Sequence, residues 1–355
     1  MRAVVGARAP QPTLTPPLRR HAVSRAALLV VVAALVLGLR GSLSDYNVGI
    51  MVTTLIYIGV AISWDVIGGI GGLFAFGTAG FFGLGAYAAA IGQEHHLPLA
   101  AGLLLAVCAA ALGGTIAIPA LRARGMYFAI LTLAIASAAS ALAARYAPGG
   151  ATGILYSAYL PTDPMVTDLA LAGVIGAGAI YAVIEATGLG VKLRLCRLDV
   201  EAARSIGVDP RFVTSGAFVI SAAMAGYFGA VYALTLGFMD PTTAFNVQWS
   251  TIPVLACILG GAGSLAGAIV GATAYSLVIA WITTLGASAG QTDIVTGGIL
   301  ILLILLAPRG VLGLLEQLRS LAGTRWSWFA EVDPPDAAAA EPAHVGESKS
   351  GEVVR

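Results

Sequence analysis

An all-α bundle of membrane-spanning helices is the fold class predicted by this sequence of 355 residues, and three observations predict it. Hydrophobic residues make up 58% and charged residues only 10%; a soluble globular domain carries about 25% charged residues. Residues 241–292 hold no Asp, Glu, Lys or Arg over 52 consecutive positions. As a helix that stretch is roughly 78 Å long against a hydrocarbon core of about 30 Å, so it crosses at least twice, or crosses once and re-enters. The runs 66–93, 97–121, 126–144 and 212–239 are also free of those four residues, and each is long enough for one crossing. None alternates apolar with polar residues as a barrel strand of about 10 residues does, so helix is the spanning form.

The sequence places about ten spans, near 26–43, 47–68, 73–92, 98–120, 126–145, 167–187, 212–237, 246–262, 264–285 and 291–307. Before the first, Arg19, Arg20 and Arg25 precede the apolar run 26–39, an arrangement shared with secretory signal peptides. Leu39-Arg40-Gly41-Ser42 offers no small-residue cleavage site, and Arg19-Arg20 is only a fragment of a twin-arginine pattern. The run is therefore an uncleaved first helix, with Arg40 snorkelling outward. The division between the eighth and ninth spans rests on the Gly-rich turn at 260–264. Residues 1–25 form an N-terminal tail, 26–310 the membrane domain and 311–355 a C-terminal tail. From about residue 331 that tail is rich in Ala, Pro, Glu and Asp. Such a segment cannot bury enough apolar surface to fold.

Charge orients the bundle. With the N-terminus in the cytoplasm, 17 of the 19 Lys and Arg residues fall on inside segments and only Arg40 and Arg145 outside, as the positive-inside rule requires. Both termini are then cytoplasmic. The net charge of +1 suggests no nucleic-acid partner. Cys108, Cys196 and Cys257 have no metal-ligand spacing and form no plausible disulfide set. His95-His96 reads as a solvated loop pair, and no nucleophilic triad or H-E-x-x-H motif occurs. The chain therefore reads as a transport subunit and not an enzyme. Gly260-Gly261-Ala262-Gly263-Ser264 lacks the Gly-Lys-Ser/Thr ending of a phosphate loop, so energy comes from elsewhere. Gly263, Gly267 and Gly271 recur every four residues and predict a flat helix-packing ridge.

The loop 188–211 carries five cations and a short helix with its own start and stop signals. Asp199 suits the N-cap, Glu201 the first turn and Arg204 the last. Gly207 suits the left-handed position after the helix, with Pro210 following. About two turns are not stable alone, so this helix docks on something: its own bundle, lipid or a partner. Asp65 is the oddest residue, a carboxylate inside a span just before the run 68–72. At the bilayer centre it costs about 2.5 kcal/mol or more unless paired or facing a cavity. Glue between helices and a place on the substrate path are both open for it. Glu185 and Asp293 lie near membrane edges, where snorkelling suffices.

At the loop a resemblance becomes specific. Glu201-Ala202-Ala203, three residues, then Gly207 resembles the E-A-A-x-x-x-G loop of importer-type ABC permeases, although its usual Ile and Leu-Pro continuation is not evident. Residues 77–87, Gly-Thr-Ala-Gly-Phe-Phe-Gly-Leu-Gly-Ala-Tyr, resemble the G-H-A-A-F-F-G-I-G-A-Y segment of branched-chain amino-acid ABC permeases. Residues 121–133 resemble their L-R-x-R-G-x-Y-F-A-I-x-T-L. Residues 149–154 resemble their outside glycine loop, 259–271 their L-G-G-x-G-x-x-x-G-x-x-x-G, and Ala307-Pro308-Arg309-Gly310 their basic close. The resemblance covers roughly 45–315 in order. Three departures touch polar groups in the membrane: Thr78 where His is common, Asp65 where Asn is common, and Ala136-Ser137 where Glu often follows the T-L-A segment.

The resemblance implies a permease of an ABC importer in a bacterial inner membrane, paired with a second permease, homologous or identical. Two cytoplasmic ATPases would hold ATP and Mg, none being bound by this chain, and an extracytoplasmic binding protein would deliver substrate. Glu201, Ala202, Ala203, Arg204 and Gly207 would form the ATPase-coupling helix, and Asp65, Thr78, Thr132 and Ser137 are candidates for the substrate path. Substrates of such permeases are Leu, Ile and Val, or other amino acids, urea and small amides. The alternative is a stand-alone secondary transporter with Asp65 as its ion or proton site.

Overall fold

The computed structural model describes residues 17–41, 43–123, 125–157, 159, 163–284 and 297–298. These lie in the first of two compact units, Met1–Leu314; the second, Leu315–Arg355, is outside the described residues. So is nearly all of the expected span 291–307, with Asp293 and the tail 311–355.

The chain runs through α1 (Pro17–Arg40) and α2 (Asp45–Asp65), which passes into a π-helical turn, Val66–Ile70. A non-helical stretch then leads to α3 (Thr78–Glu94). α4 (Leu99–Ile116), a 3₁₀ turn (Ile118–Arg122) and α5 (Met126–Tyr146) follow. After strand β1 (Ile154–Leu155) come α6 (Pro164–Ala186), α7 (Gly188–Leu198), α8 (Val200–Ser205) and α9 (Pro210–Leu236). Strand β2 (Phe238–Met239), α10 (Pro241–Ala244), α11 (Gln248–Gly260) and α12 (Leu265–Thr284) complete the described fold.

Local chemistry sets these boundaries. Proline opens α6, α9 and α10, at the first helical position where its missing N–H costs nothing. The Asp209 carboxylate accepts from Arg211 N at 2.9 Å to cap α9, and Asp240 accepts from Thr242 N and Thr243 N to cap α10. At Asp240 burial raises the carboxyl pKa, but hydrogen bonds from Thr242 and Thr243 outweigh it and hold the group below the usual carboxylate range. Gly237, at φ 70°, ends α9 in the left-handed conformation.

Among the described residues, seven stretches are long and apolar enough to cross a bilayer: Asp45–Ile70, Leu99–Ile116, Met126–Tyr146, Pro164–Ala186, Pro210–Leu236, Pro241–Gly260 and Leu265–Thr284. The stretches with α2 and α9 are 72% buried, whereas those with α4 and α5 are 22% and 17% buried, so α2 and α9 are central and α4 and α5 peripheral. Small residues let α3, α4 and α9 pack closely. A Cβ on Gly85 of α3 would lie 2.0 Å from Gly226 O of α9, and one on Gly226 would lie 2.2 Å from the Ala110 Cβ of α4.

The expected turn between the eighth and ninth spans is present, between α11 and α12. Gly267 and Gly271 form the expected ridge: a Cβ on Gly271 would meet Ala256 O at 1.9 Å, and one on Gly260 would meet Gly267 O at 1.8 Å. Gly263 corrects the expectation. It precedes α12, lies in the turn at φ 86°, and packs as part of no helix ridge. The span expected from residue 73 also differs: α3 starts at Thr78, because residues 71–77 are not helical.

The two loops expected outside meet. β1 pairs antiparallel with β2, Ile154 opposite Met239, and Tyr156 N donates to Gly237 O at 3.0 Å. Arg40 and Asp168, both expected outside, pair at 2.7 Å between the end of α1 and the start of α6.

Candidate functional site

The loop 188–211 is more helical than its sequence suggests. Its first half is α7, a helix where the sequence predicts loop. Glu185 at the end of α6 pairs with Arg194, which ties α7 to that helix. The Asp199 carboxylate accepts from Glu201 N at 2.8 Å and Ala202 N at 3.1 Å, as expected of an N-cap. Gly207 sits at φ 82° with its N–H on Arg204 O at 2.9 Å, and Val208 N returns to Ala203 O at 3.0 Å. These bonds satisfy carbonyls that the end of a helix leaves open. Pro210 then begins α9.

Four of the five coupling candidates are exposed: Glu201, Ala202, Arg204 and Gly207. Ala203 is not; only 1% of its surface is exposed, and it is turned onto its own chain. The apolar side chains of Leu198 and Ile206 stand out into solvent, 82% and 64% exposed. With Leu195, Asp199, Ala202 and Ser205 they line a hollow of about 390 Å³. Burial, and then Asp209, push the Cys196 thiol pKa up.

Inside the membrane domain, Asp65 is fully buried and both its oxygens have partners. Tyr181 OH of α6 donates to Oδ2 at 2.7 Å, and Gly263 N of the α11–α12 turn donates to Oδ1 at 2.8 Å. One carboxylate thus joins α2, α6 and that turn. Gly69 makes room for it, since a Cβ there would fall 2.0 Å from Asp65 Oδ1 and 2.5 Å from Gly263 N.

The non-helical stretch after the π turn is held by side chains, as backbone at membrane depth must be. Trp64 Nε1 donates to Ala75 O at 2.8 Å, Phe76 N donates to Thr132 Oγ1 at 3.0 Å, and Ser250 Oγ donates to Phe76 O at 2.7 Å. Arg197 of α7 reaches the π turn just before it: its Nη1 donates to Gly69 O at 2.6 Å.

The four path candidates do not converge. Thr132 is buried and spent on Phe76 N and Ala129 O. Thr78 is buried at the first position of α3, near Gly77, whose Cβ would touch the Thr132 Cβ at 3.1 Å. Ser137 is exposed and donates to Leu133 O of its own helix. Asp65 lies in the separate junction described above. None of them lines the cavity of about 700 Å³ between α2, α9 and α12, whose polar wall includes Asp45, Thr53, Tyr57, Tyr232, Thr235 and Ser276. Below it, Tyr57 packs edge-on to Trp249 and Tyr275, and Trp249 stacks on Phe82 at 3.9 Å. Sequence reasoning missed this wall because its hydroxyls sit singly in three distant apolar runs.

A family described as "Branched-chain amino acid transport system / permease component" matches residues 46–305. The high-affinity branched-chain amino acid transport system permease protein LivM of Escherichia coli K12 is 28% identical over 325 residues, covering 80% of this chain and 74% of that protein. LivM of Salmonella typhimurium is 28% identical over 305 residues, covering 75% and 70%. LivH of the same transport system in Escherichia coli K12 is 31% identical over a shorter 130 residues, 37% of this chain and 41% of that protein. A solved structure titled PsaBC from Streptococcus pneumoniae in complex with Fab has a TM-score of 0.47 at 12% identity, covering 78% of this chain and 97% of that one; at that level it bears on neither substrate nor partners.

Proposed function

This chain belongs to the branched-chain amino acid transport permease family, and from that premise we propose how it works: it carries branched-chain amino acids inward, driven by ATPases that dock on the α7–α8 loop. It is a multi-pass inner-membrane permease subunit of an ABC importer and not an enzyme. That membership displaces the stand-alone secondary transporter.

The observation that carries the docking reading is the α7–α8 loop itself. A six-residue helix, capped at both ends, presents Leu198 and Ile206 to solvent beside a hollow. An isolated helix that short is not stable, and exposed apolar side chains at a concavity mark a protein contact. The positive-inside pattern supports a cytoplasmic face for this loop and for both termini. Two cytoplasmic ATPases holding ATP and Mg would bind below the permease pair, and this loop is where this chain would meet them. A second permease would complete the pair, the coexistence of LivM-like and LivH-like relatives favouring a heterologous one. A binding protein would deliver substrate to the opposite face. We read about ten spans by adding α1, α3 and the apolar sequence run 291–307, which lies outside the described residues, to the seven long stretches. Asp65 serves as glue: both oxygens are already engaged.

The test is uptake of labelled leucine into proteoliposomes holding this chain, a LivH-like permease and the ATPases, with binding protein outside. ATP-dependent uptake is expected. Equal uptake with and without ATP contradicts the reading.

A further inference from the structure

We propose that Arg197 is a positioning residue for transport: it passes movement of the α7–α8 loop to the broken segment that follows α2. This rests on the docking reading above and adds the route by which docking reaches the membrane.

The geometry starts at the elbow, residues 66–77. After the π turn the helix ladder fails. Leu73 N donates to Ile67 O at 3.1 Å instead of turning to Gly69 O, the acceptor one α-helical turn before it. A carbonyl released at a helix C-terminus needs a donor, and that end of the dipole favours a cation. Arg197 Nη1 supplies both at 2.6 Å. Its aliphatic stem lies over Gly72, which stands at φ 71°; a Cβ there would fall 2.5 Å from Arg197 Cγ. The contact is thus one charged hydrogen bond backed by close packing.

What the elbow touches makes the contact consequential. Residues 69–76 are bonded or packed to α2 through Trp64 and Asp65, to α5 through Thr132, to α11 through Ser250 and to the α11–α12 turn through Gly263. Arg197 is two residues before Asp199, the cap of α8. A shift of α8 against its partner therefore moves Arg197, and with it a backbone lodged among four membrane elements. Irregular backbone is also where a packed bundle changes conformation at least cost, since few ladder bonds must break. An Arg fixed to a carbonyl is a stiffer link than an apolar contact, because losing it leaves a buried acceptor open.

The experiment uses the assembled importer in proteoliposomes, with labelled leucine and ATP. Arg197→Ala is expected to keep ATPase co-purification and hydrolysis near wild type, while leucine taken up per ATP falls about tenfold, the factor for losing one charge-assisted hydrogen bond. Arg197→Lys, which keeps a cationic donor, should recover most of that ratio. A merely structural role would lower the amount of complex and leave the ratio alone. Unchanged uptake per ATP in Arg197→Ala overturns the proposal, and so does loss of ATPase binding in step with uptake, which would make Arg197 a docking residue. Ala202→Arg separates the underlying reading: if it leaves ATPase binding intact, the docking reading fails and this proposal with it; if it abolishes binding while Arg197→Ala stays coupled, this proposal alone fails. A measurement without variants covers the case in which Arg197→Ala does not assemble. Amide exchange at residues 66–77 in the wild-type complex should change when the ATPases bind nucleotide, and exchange that does not change overturns the link.

Discussion

Two glycine-rich segments of this chain look alike as sequence and do different physical work. In residues 260–271 the glycines are absent side chains: Gly260 of α11 and Gly267 and Gly271 of α12 let two regular helices touch backbone to backbone. In residues 68–72 they are space for other residues' side chains and freedom for an irregular chain. Gly69 admits the Asp65 carboxylate, and Gly72 takes a positive φ beneath Arg197. The first segment is a seam in a bundle with no hydrophobic force between its helices, where close packing supplies the attraction. The second is a joint held by side chains from elsewhere: Asp65 by Tyr181 and Gly263 N, Gly69 O by Arg197, and Phe76 by Thr132 and Ser250. Glycine count alone separates nothing; what each missing Cβ would strike does.

The largest effect should come from the joint. Gly69→Val forces a side chain against Asp65 and the Gly263 backbone, adding about 1–3 kcal/mol of overpacking to about 1–3 kcal/mol for an unsatisfied buried acceptor. Folded protein recovered by gel filtration in detergent should fall severely; recovery at the wild-type level would mean the junction is not rigid.

Gly271→Val comes next. Its nearest neighbours are the Ala256 and Gly260 backbones, so the cost is overpacking, about 1–3 kcal/mol. A thermal unfolding scan should show a lowered midpoint, with uptake per ATP unchanged in the protein that survives. A change in that ratio would make the seam part of the coupling route and dissolve the distinction.

Tyr181→Phe removes one donor from Asp65 and leaves a buried oxygen unpaired, at about 1–3 kcal/mol. Asp65→Asn should cost less, because it removes a buried charge while its carbonyl still accepts from Gly263 N, although Tyr181 OH loses its acceptor. The same scan ranks the two. Asp65→Asn milder than Tyr181→Phe supports glue, whereas loss of leucine uptake at unchanged stability would return Asp65 to the substrate path.

The seam was legible in part: Gly267 and Gly271, four residues apart on an apolar run, do pack as a ridge, whereas Gly263 of the same period lies in the turn and Gly260 completes the contact from α11. The start and stop of α8 were legible because Asp199 and Gly207 act on neighbours two or three residues away. The joint was not. Asp65 could be flagged as costly, but its partners lie 116 and 198 residues off, and neither Tyr181 nor Gly263 carries a mark of that role. Hydropathy also cannot see that residues 71–77 leave the helix, since a broken span and a regular one are equally apolar. Helix α7 is not marked in the sequence as α8 is: no side chain caps its start, and Leu193 and Gly190 bury its inner face.

Burial also changes which substitution tests docking. Ala203→Arg would place a charge inside this chain, whereas Ala202 is exposed on the hollow. The most direct measurement is therefore co-purification of the ATPase subunits with Ala202→Arg, alongside wild type, in complexes matched for folded permease. The account predicts that ATPase recovery falls at least about tenfold, as a buried, unpaired charge at an interface requires. Recovery equal to wild type would contradict it and move the docking surface off α8.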